Sequence, residues 1–361
     1  MSAPIRILLV DHSAVIRRLL TDVLSGDPAL EVADSAANGR IALAKLPAVK
    51  PDIVILDVEM PEMDGLETLA EIRKRQPRLP VIMFSSITER GAAVTLEALA
   101  LGANDYVTKP SNSGNMTTAL QRVREELIPR IKTFCRLRPP PTPAPLNRPI
   151  APQPEPRPGP LPVAPRQRQR VDVVAIGIST GGPNALAALL PQLPANFPAP
   201  ILIVQHMPPI FTRLLAERLA AQSLLSIAEG VEGDILRPGQ VWLAPGGLHM
   251  ALERQGTQVR LRLNQNPPEN SCRPAVDVLF RSVAEVYRAN ALAVVMTGMG
   301  NDGLKGCEAI RRAGGQILAQ DESSSVVWGM PGFVAKAGLA DGQIALPQLA
   351  GEILTRVRTA R

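Results

Sequence analysis

The chain has 361 residues, of which 45% are hydrophobic, so its length and composition predict two or three domains with buried cores. Aromatic residues make up only 3%, which predicts the aliphatic, alanine-rich cores of α/β proteins. The formal charge of +6 comes entirely from residues 136–170, which contain seven arginines and one glutamate. Because the rest of the chain is neutral and has no aromatic-lined basic stripe, the sequence argues against nucleic-acid binding.

The three cysteines and the N-terminus give a first indication of the compartment. Cys135, Cys272 and Cys307 are odd in number and lack the spacing of a disulfide framework or a zinc motif, so we expect free thiols in a reducing compartment. The apolar run at residues 5–10 is too short for a signal peptide, and no stretch approaches the length of a membrane span. A cytoplasmic protein without membrane insertion is therefore expected.

Residues 1–130 alternate between strand-like and helix-like segments five times. Strands are predicted at 5–10, 30–36, 52–56, 81–84 and 105–108, and helices at 14–24, 38–46, 65–75, 91–101 and 116–128. This alternation predicts a doubly wound parallel sheet, whose chemistry belongs at the carboxyl ends of the strands.

Four polar residues, Asp11, Asp57, Ser85 and Lys109, lie at such strand ends. Carboxylate oxygens bind Mg²⁺, and a cation together with a lysine neutralises the charge of a phosphoryl group. Each residue taken singly is better explained as a solvated loop residue. Four of them at the ends of different parallel strands indicate a site that accepts a phosphoryl group.

The surrounding motifs, VILDVEMPEMDG, FSS and YVTKP, resemble those of a two-component receiver domain with a flavodoxin-like fold. The resemblance implies that a histidine kinase phosphorylates Asp57, that Ser85 senses and Lys109 binds the phosphoryl group, and that Asp11 and Asp57 hold Mg²⁺. One position departs from the family pattern, because His12 stands where a second acid usually follows Asp11. Imidazole is a poorer ligand than carboxylate for a hard cation, so the sequence leaves the Mg²⁺ affinity open.

The composition changes abruptly in residues 131–170. Thirteen of the 36 prolines fall between residues 136 and 170, and this segment shows no apolar periodicity. Such a composition predicts a semi-extended, polyproline-type linker. A docking site for a proline-recognition module is the less favoured interpretation.

Residues 171–361 predict a second α/β domain. Strands are expected at 171–178, 201–205, 241–244, 291–296 and 316–319, and helices at 184–190, 211–222 and 274–288, with others near the end. The segments 250–253 and 258–263 alternate around Gln255-Gly256 and predict a hairpin. We expect a doubly wound, Rossmann-like parallel sheet with an antiparallel hairpin attached.

The first predicted strand of this domain runs into Gly177-Ile178-Ser179-Thr180-Gly181, which fits the pattern G-x-S-x-G. A serine on a glycine-bounded turn between a strand and a helix is a known arrangement for a nucleophilic hydroxyl. The helix N-terminus can supply N–H groups to a developing oxyanion. The alternative is a tight turn in which Ser179 merely caps the helix.

A nucleophilic serine needs a base, most often histidine. His206 directly follows a buried strand at the same sheet edge, whereas His12 belongs to the first domain and His249 is interpreted as a turn residue beside the hairpin. Asp302, in the glycine-rich turn after the strand at 291–296, is the best-placed acid to orient the imidazole. The order Ser–His–Asp disfavours the α/β-hydrolase fold but does not exclude a triad.

The same glycines allow a different interpretation. Residues 298–303 fit G-x-G-x-x-G, and Asp321 ends the next strand, as in a dinucleotide fingerprint. The motif stands late in the chain, and Asp302 inside the turn would repel a pyrophosphate.

A non-catalytic binding domain is the alternative from another functional class. A DNA-binding output is disfavoured because the second half lacks a compact helix-turn-helix and excess positive charge.

Five spaced motifs, IGISTGGP, QHMPPIFT, LAPGGLHM, RPAVDVLFRSVA and TGMGNDG, resemble the catalytic domain of the chemotaxis methylesterase (CheB) family. The resemblance implies that Ser179 is the nucleophile, His206 the base and Asp302 the acid that orients it. Backbone N–H groups near Thr180 and at Met299 and Gly300 would bind the oxyanion. It implies no cofactor for this domain.

The family resemblance also implies substrates and partners. Its members hydrolyse glutamyl methyl esters on the cytoplasmic helices of chemoreceptors, releasing methanol, and deamidate specific receptor glutamines. A chemotaxis histidine kinase phosphorylates them, and a receptor methyltransferase opposes them. In the family the resting receiver covers the active site, and phosphorylation favours an open arrangement.

Overall fold

The first part of the chain forms a parallel sheet with a helix after each strand. The computed structural model describes residues 3–110, 116–136 and 170–358. The elements of the first sheet and its helices are β1 (Ile5–Val10), α1 (Ala14–Ser25), β2 (Leu30–Ala36), α2 (Gly39–Val49), β3 (Ile53–Asp57), α3 (Gly65–Arg75), β4 (Val81–Ser85), α4 (Glu89–Ala100), β5 (Asp105–Thr108) and α5 (Met116–Arg136). The strands pair in parallel in the order β2-β1-β3-β4-β5. The predicted fold of this half is confirmed.

Helix α5 is longer than the predicted segment 116–128 and enters the predicted linker. Its second half continues the apolar spacing, since Leu127, Ile131 and Phe134 are all buried against the first sheet. Pro129 lies inside the helix, and the Thr133 hydroxyl donates to the Pro129 carbonyl at 2.8 Å. Tertiary burial therefore extends the helix past a proline at which the sequence pattern indicated an end. Residues 137–169 of the predicted linker lie outside the described residues.

The second part of the chain is built on a larger parallel sheet. Its elements are β6 (Val173–Ile178), α6 (Gly182–Leu189), β7 (Ile201–Gln205), α7 (Phe211–Gln222), β8 (Ser226–Glu229), β9 (Gln240–Leu243), β10 (His249–Gln255), β11 (Gln258–Asn264), α8 (Val276–Tyr287), β12 (Ala291–Val295), α9 (Leu304–Arg312), β13 (Gln316–Gln320), α10 (Met330–Lys336), β14 (Gly342–Ile344) and α11 (Leu346–Arg358). Seven strands pair in parallel in the order β14-β13-β12-β6-β7-β9-β8, and β10 and β11 form a separate antiparallel hairpin. The predicted α/β architecture with its hairpin is confirmed.

Neither edge strand of this sheet, β8 or β14, was predicted from the sequence. Each has at most four residues, and neither is fully buried. A short strand that is half-exposed at an edge lacks both the continuous apolar run of a buried strand and a clear alternation. Their existence depends on pairing with β9 and β13, which a local pattern does not contain.

The central strands are apolar because helices cover both faces of the sheet. All residues of β6, β7 and β12 are buried, as expected for strands of a parallel sheet sandwiched between helical layers. No disulfide joins the three cysteines in the described part of the chain. Among the described helices, none combines the length and the apolar character that crossing a bilayer would require.

Truncation of a core side chain in β7 tests this packing. Leu202 is fully buried, so Leu202→Ala should destabilise the second domain by about 2–5 kcal/mol through lost burial and a residual cavity. Leu224 is 72% exposed and provides a matched control, since Leu224→Ala removes the same atoms with little loss of burial. Calorimetric unfolding of both variants measures the difference. Equal effects of the two substitutions would contradict the described packing.

Candidate active site

Ser179 occupies a turn that small residues and backbone hydrogen bonds hold tightly between β6 and α6. Its N–H donates to the Thr297 carbonyl at 3.0 Å, and its own carbonyl accepts from Gly182 N at 2.8 Å. Gly181 has φ +79°, a conformation that favours glycine, and a Cβ at Gly298 would lie 2.8 Å from the Ser179 Cβ. The predicted glycine-bounded turn is therefore present, and it presents a half-buried serine.

His206 and Asp302 meet at the carboxyl ends of β7 and β12. His206 Nε2 lies 2.8 Å from Asp302 Oδ2. His206 follows β7 directly, and its backbone N–H donates to the Ile178 carbonyl at the end of β6 at 3.2 Å. Two residues 96 positions apart in sequence are thus joined because their strands flank β6.

The Asp302 carboxylate is held by N–H groups on both oxygens. Oδ2 also accepts from Val276 N at 2.7 Å, while Oδ1 accepts from the backbone N–H groups of Asp277 and Gly303, each at 3.0 Å. Burial alone would raise the pKa of Asp302, but the hydrogen bonds from His206 and these backbone groups lower it below its ordinary value. The carboxylate therefore stays ionised beside the imidazole.

The charge of this carboxylate acts on His206 in turn. Burial alone would lower the pKa of His206, but hydrogen bonds with Asp302 and Cys272 raise it above the ordinary histidine range. The charged imidazolium is thereby stabilised, which is the form produced when a histidine accepts a proton from a nucleophile.

A groove of about 510 Å³ contains the predicted residues Ser179, Thr180, His206 and Met299 in its lining. Within the described residues, no hydrogen bond joins the Ser179 hydroxyl to His206, although both side chains face this groove. The backbone N–H groups of Thr180, Met299 and Gly300 make no hydrogen bond with the described part of the chain. The groove thus brings together a hydroxyl and an imidazole.

Asn270 and Cys272 lie near this cluster but were not predicted as part of the site. Asn270 Nδ2 donates to Asp302 Oδ1 at 2.9 Å and to Asp277 Oδ2 at 3.0 Å, so one amide bridges two buried carboxylates. The Cys272 sulfur lies within 4.8 Å of a His206 ring nitrogen. No local motif marks these residues, because the loop before α8 acquires its role only through the fold.

The last glycine of the motif that imitates a dinucleotide fingerprint is bonded to the chain's own carboxylates. Gly303 N donates to Asp277 Oδ1 as well as to Asp302, and Gly306 N donates to Asp277 Oδ1 at 2.6 Å. A pyrophosphate would need such N–H groups for itself. His249 is likewise internal: it is fully buried, and its ring bonds to the backbone of Pro267 and Ala275.

The first sheet brings together three of its four predicted residues. Lys109 Nζ lies 2.9 Å from Asp11 Oδ2 and 2.6 Å from Asp57 Oδ1. The fourth residue, Ser85, is fully buried and its hydroxyl bonds to the Gly91 carbonyl and to Thr95, on the side of α4. His12 Nδ1 lies 2.7 Å from Asp57 Oδ2, an interaction that the sequence did not predict.

These residues fit a hard divalent cation through the two carboxylates. Burial and the neighbouring Asp57 carboxylate raise the pKa of Asp11, as expected where two acids converge. A divalent cation relieves that repulsion, and carboxylate oxygens are the ligands that Mg²⁺ prefers. His12 adds a nitrogen donor to the same cluster, where the receiver pattern has an oxygen.

The first domain lies against the groove of the second. The rings of Tyr106 on β5 and Phe211 on α7 stack with centroids 4.8 Å apart and planes 7° apart. Thr180 Oγ1 donates to Asp105 Oδ2 at 3.1 Å, next to the serine turn, and Asn184 Nδ2 donates to the Leu99 carbonyl at 2.7 Å. The first domain therefore contacts the residue that directly follows Ser179.

The Asn270 bridge can be tested without changing the size of the side chain. Asn270→Asp removes the amide donor and places a third acid beside Asp277 and Asp302, while aspartate still tolerates the left-handed φ of +52°. We expect a loss of about 1–3 kcal/mol of stability in the second domain, measured by denaturant unfolding at pH 7. Asn266→Asp in the same exposed loop is the matched control. Unchanged stability in both variants would show that the bridge is energetically unimportant.

Comparisons with known proteins agree over nearly the whole chain. Residues 174–353 match the family model "CheB methylesterase", and residues 7–121 match "Response regulator receiver domain". A protein-glutamate methylesterase/protein-glutamine glutaminase of Trichodesmium erythraeum is 53% identical over 98% of this chain and 99% of its own length. One from a Nocardioides species is 49% identical over 99% of this chain and 96% of its own length.

A solved structure supports the second half. The Thermotoga maritima CheB methylesterase catalytic domain is 42% identical, with a TM-score of 0.50 over 51% of this chain and 97% of that chain. The sequence resemblances stated from the motifs of both halves are thereby confirmed. The chain belongs to the CheB methylesterase family and carries an N-terminal response regulator receiver domain.

Proposed function

We propose that the chain is a phosphorylation-regulated serine hydrolase that demethylates glutamyl methyl esters and deamidates specific glutamines on the cytoplasmic helices of chemoreceptors. The observation that carries the proposal is the 2.8 Å contact between His206 and Asp302 at a groove that Ser179 also lines. The names of the relatives support both activities. We divide the chain into a receiver at 1–130, a linker at 131–170 and a catalytic domain at 171–361.

The proposed reaction is acyl transfer through a covalent serine intermediate. His206 takes the Ser179 proton as Oγ attacks the ester carbonyl and the new C–O bond forms. The backbone N–H groups of Thr180, Met299 and Gly300 face the developing oxyanion. The ester C–O bond then breaks, methanol leaves with the proton from His206, and water releases the glutamate carboxylate by the reverse route. With a glutamine substrate the leaving group is ammonia.

Asp302 has an orienting role in this scheme. Its Oδ2 holds His206 by Nε2, which leaves Nδ1 as the ring nitrogen for proton exchange. The buried, ionised carboxylate also stabilises the imidazolium that forms in each step. Because three backbone N–H groups fix the carboxylate, the imidazole is held before the substrate arrives.

The receiver supplies the regulation. We propose Asp57 as the residue phosphorylated by a chemotaxis histidine kinase, with Lys109 binding the phosphoryl group and Ser85 sensing it. Asp11 and Asp57 would hold Mg²⁺, whose charge, when it is bound, offsets that of the transferred group. The receiver pattern supports these roles, and Lys109 already pairs with both carboxylates.

Contacts between the domains suggest how the signal reaches the groove. Asp105 and Tyr106 come from β5, the strand that ends just before Lys109, and they contact Thr180 and Phe211. A change at the phosphorylation site therefore has a short route to residues beside Ser179. We propose that phosphorylation shifts the population toward an arrangement in which the receiver no longer covers the groove.

The proposed partners are chemoreceptors and a chemotaxis histidine kinase, and we therefore propose that the protein acts in the cytoplasm. A receptor methyltransferase would catalyse the opposing reaction.

Removal of the proposed nucleophile is the primary test. Ser179→Ala should lower methanol release from methylated receptor membranes by several orders of magnitude, because members of a triad act as a unit. The hydrogen bonds that Thr297 and Gly182 make with Ser179 involve its backbone and not its hydroxyl, so the turn should survive the change. A thermal unfolding curve checks this point. Methanol release near the wild-type rate would rule out the assignment.

Removal of the receiver tests the proposed covering. A chain that begins at residue 166 should show a higher basal rate of methanol release than the full chain, because Asp105 and Tyr106 no longer lie over the groove. Full-length Asp57→Asn is the companion variant and should stay at the basal rate when a phosphodonor and Mg²⁺ are added. An equal or lower rate in the shortened chain would count against covering.

A further inference from the structure

The groove contains a thiol that the proposed reaction does not use. Cys272 lines the groove beside Ser179 and lies close to His206. The ligand atoms of His206, Cys272 and Asp302 all lie within 4.8 Å of one another. Three chemically different donors, a nitrogen, a sulfur and an oxygen, therefore converge on one point.

The loop before α8 fixes the position of this thiol. Glu269 and Cys272 exchange both backbone hydrogen bonds, at 3.1 and 2.8 Å, across the two-residue turn of Asn270 and Ser271. Both turn residues have positive φ, +52° and +61°, as in a type I′ turn. Arg281 on α8 anchors the turn by pairing with Glu269 at 2.6 Å. Cys272 thus sits on a defined turn that is tied to a helix.

The donor set identifies the class of ligand. We infer that His206, Cys272 and Asp302 form a binding site for a zinc-class divalent cation. Zinc is a borderline-soft ion that protein sites bind through cysteine sulfur, histidine nitrogen and carboxylate oxygen, often with three protein ligands and one open position. The open position here faces the groove. By contrast, the receiver site offers Mg²⁺ the oxygens of Asp11 and Asp57, so the chain carries two sites of different hardness.

The site is compatible with the other bonds of its ligands. Asp302 keeps Oδ1 on Asn270, Asp277 and Gly303, so Oδ2, which faces His206 and also accepts from Val276 N, is the ligand atom. The groove provides access from solvent. Metal binding replaces the direct contact between His206 and Asp302 by one through the cation.

Occupation of this site should inhibit the hydrolase. This consequence rests on the proposed function, because a cation bound to His206 holds the imidazole in a complex with Asp302 and Cys272 and prevents it from taking the Ser179 proton. The metal would then act as a reversible inhibitor whose effect does not depend on the receiver. Metal binding itself does not depend on the role of Ser179, so the two ideas can be tested separately.

Cobalt binding to the full-length protein tests the site directly. Co²⁺ can replace Zn²⁺ at such ligands, and a cobalt–thiolate bond gives a charge-transfer absorption that activity does not affect. We expect this absorption in the wild type and its displacement by Zn²⁺. Loss of an outer-shell partner alone weakens metal binding about 10- to 100-fold, so Cys272→Ala should weaken zinc binding by at least about 100-fold. Cys135→Ala, on α5, is the matched control and should bind like the wild type. Absent absorption, or equal binding by the two variants, would overturn the site.

Inhibition is measured next on the same proteins. Zn²⁺ should lower methanol release by the wild type and by Cys135→Ala, a chelator should restore it, and Cys272→Ala should require about 100-fold more zinc for the same loss. Activation by bound zinc, or unchanged turnover when cobalt spectra show a filled site, would overturn the proposed inhibition. Recovery with a thiol reductant but not with a chelator would indicate oxidation of Cys272 and would also contradict the metal site. If the protein binds cobalt but releases no methanol, the proposed function fails and the metal site stands.

Discussion

The candidate active site depends on the parallel pairing of three strands, β12, β6 and β7. Val295 pairs with Gly177 and Ile178 pairs with Gln205, so the three strands end at the same edge and in register. Each strand is followed directly by a loop that contains one residue of the candidate site, and these residues are Ser179, His206 and Asp302. A slip of one residue in either pairing would turn the buried side chains to the opposite face and separate these groups, so the packing of the sheet fixes the geometry of the site.

In both halves of the chain, the side chains of the candidate sites follow the carboxyl ends of parallel strands, but the chemistry of those side chains differs. In the first sheet the strand ends supply two carboxylates and a lysine, a hard and strongly charged cluster suited to Mg²⁺ and phosphoryl groups. In the second they supply a hydroxyl, an imidazole and a carboxylate, and the adjoining loop adds a thiol. The halves meet where Tyr106 on β5 stacks on Phe211 on α7, so the proposed phosphorylation site and the candidate active site belong to adjoining sheets.

Most of this fold could be predicted from the sequence because local patterns of apolar residues and glycines define its buried strands and turns. The buried strands are continuous apolar runs, and glycine motifs mark the turns after them. The edge strands β8 and β14 could not be predicted, since pairing rather than composition defines them. Helix α5 continues past Pro129 because Ile131 and Phe134 are buried in the core of the first domain.

In the candidate site, the positions of the strand ends predicted His206 and Asp302. Asn270 and Cys272 could not be predicted, because they lie on a loop that only the tertiary structure brings close to those residues. The contact of His12 with Asp57 was hidden for the same reason.

The central claim is that Ser179 is the nucleophile of a site in which His206 and Asp302 work together. The most direct measurement is covalent labelling of the full-length protein with a serine-directed phosphonate, followed by mass spectrometry of its peptides. We predict one label per chain, on Ser179, formed in step with the loss of methanol release. Labelling at another serine, or a protein that still releases methanol with Ser179 fully labelled, would contradict the account.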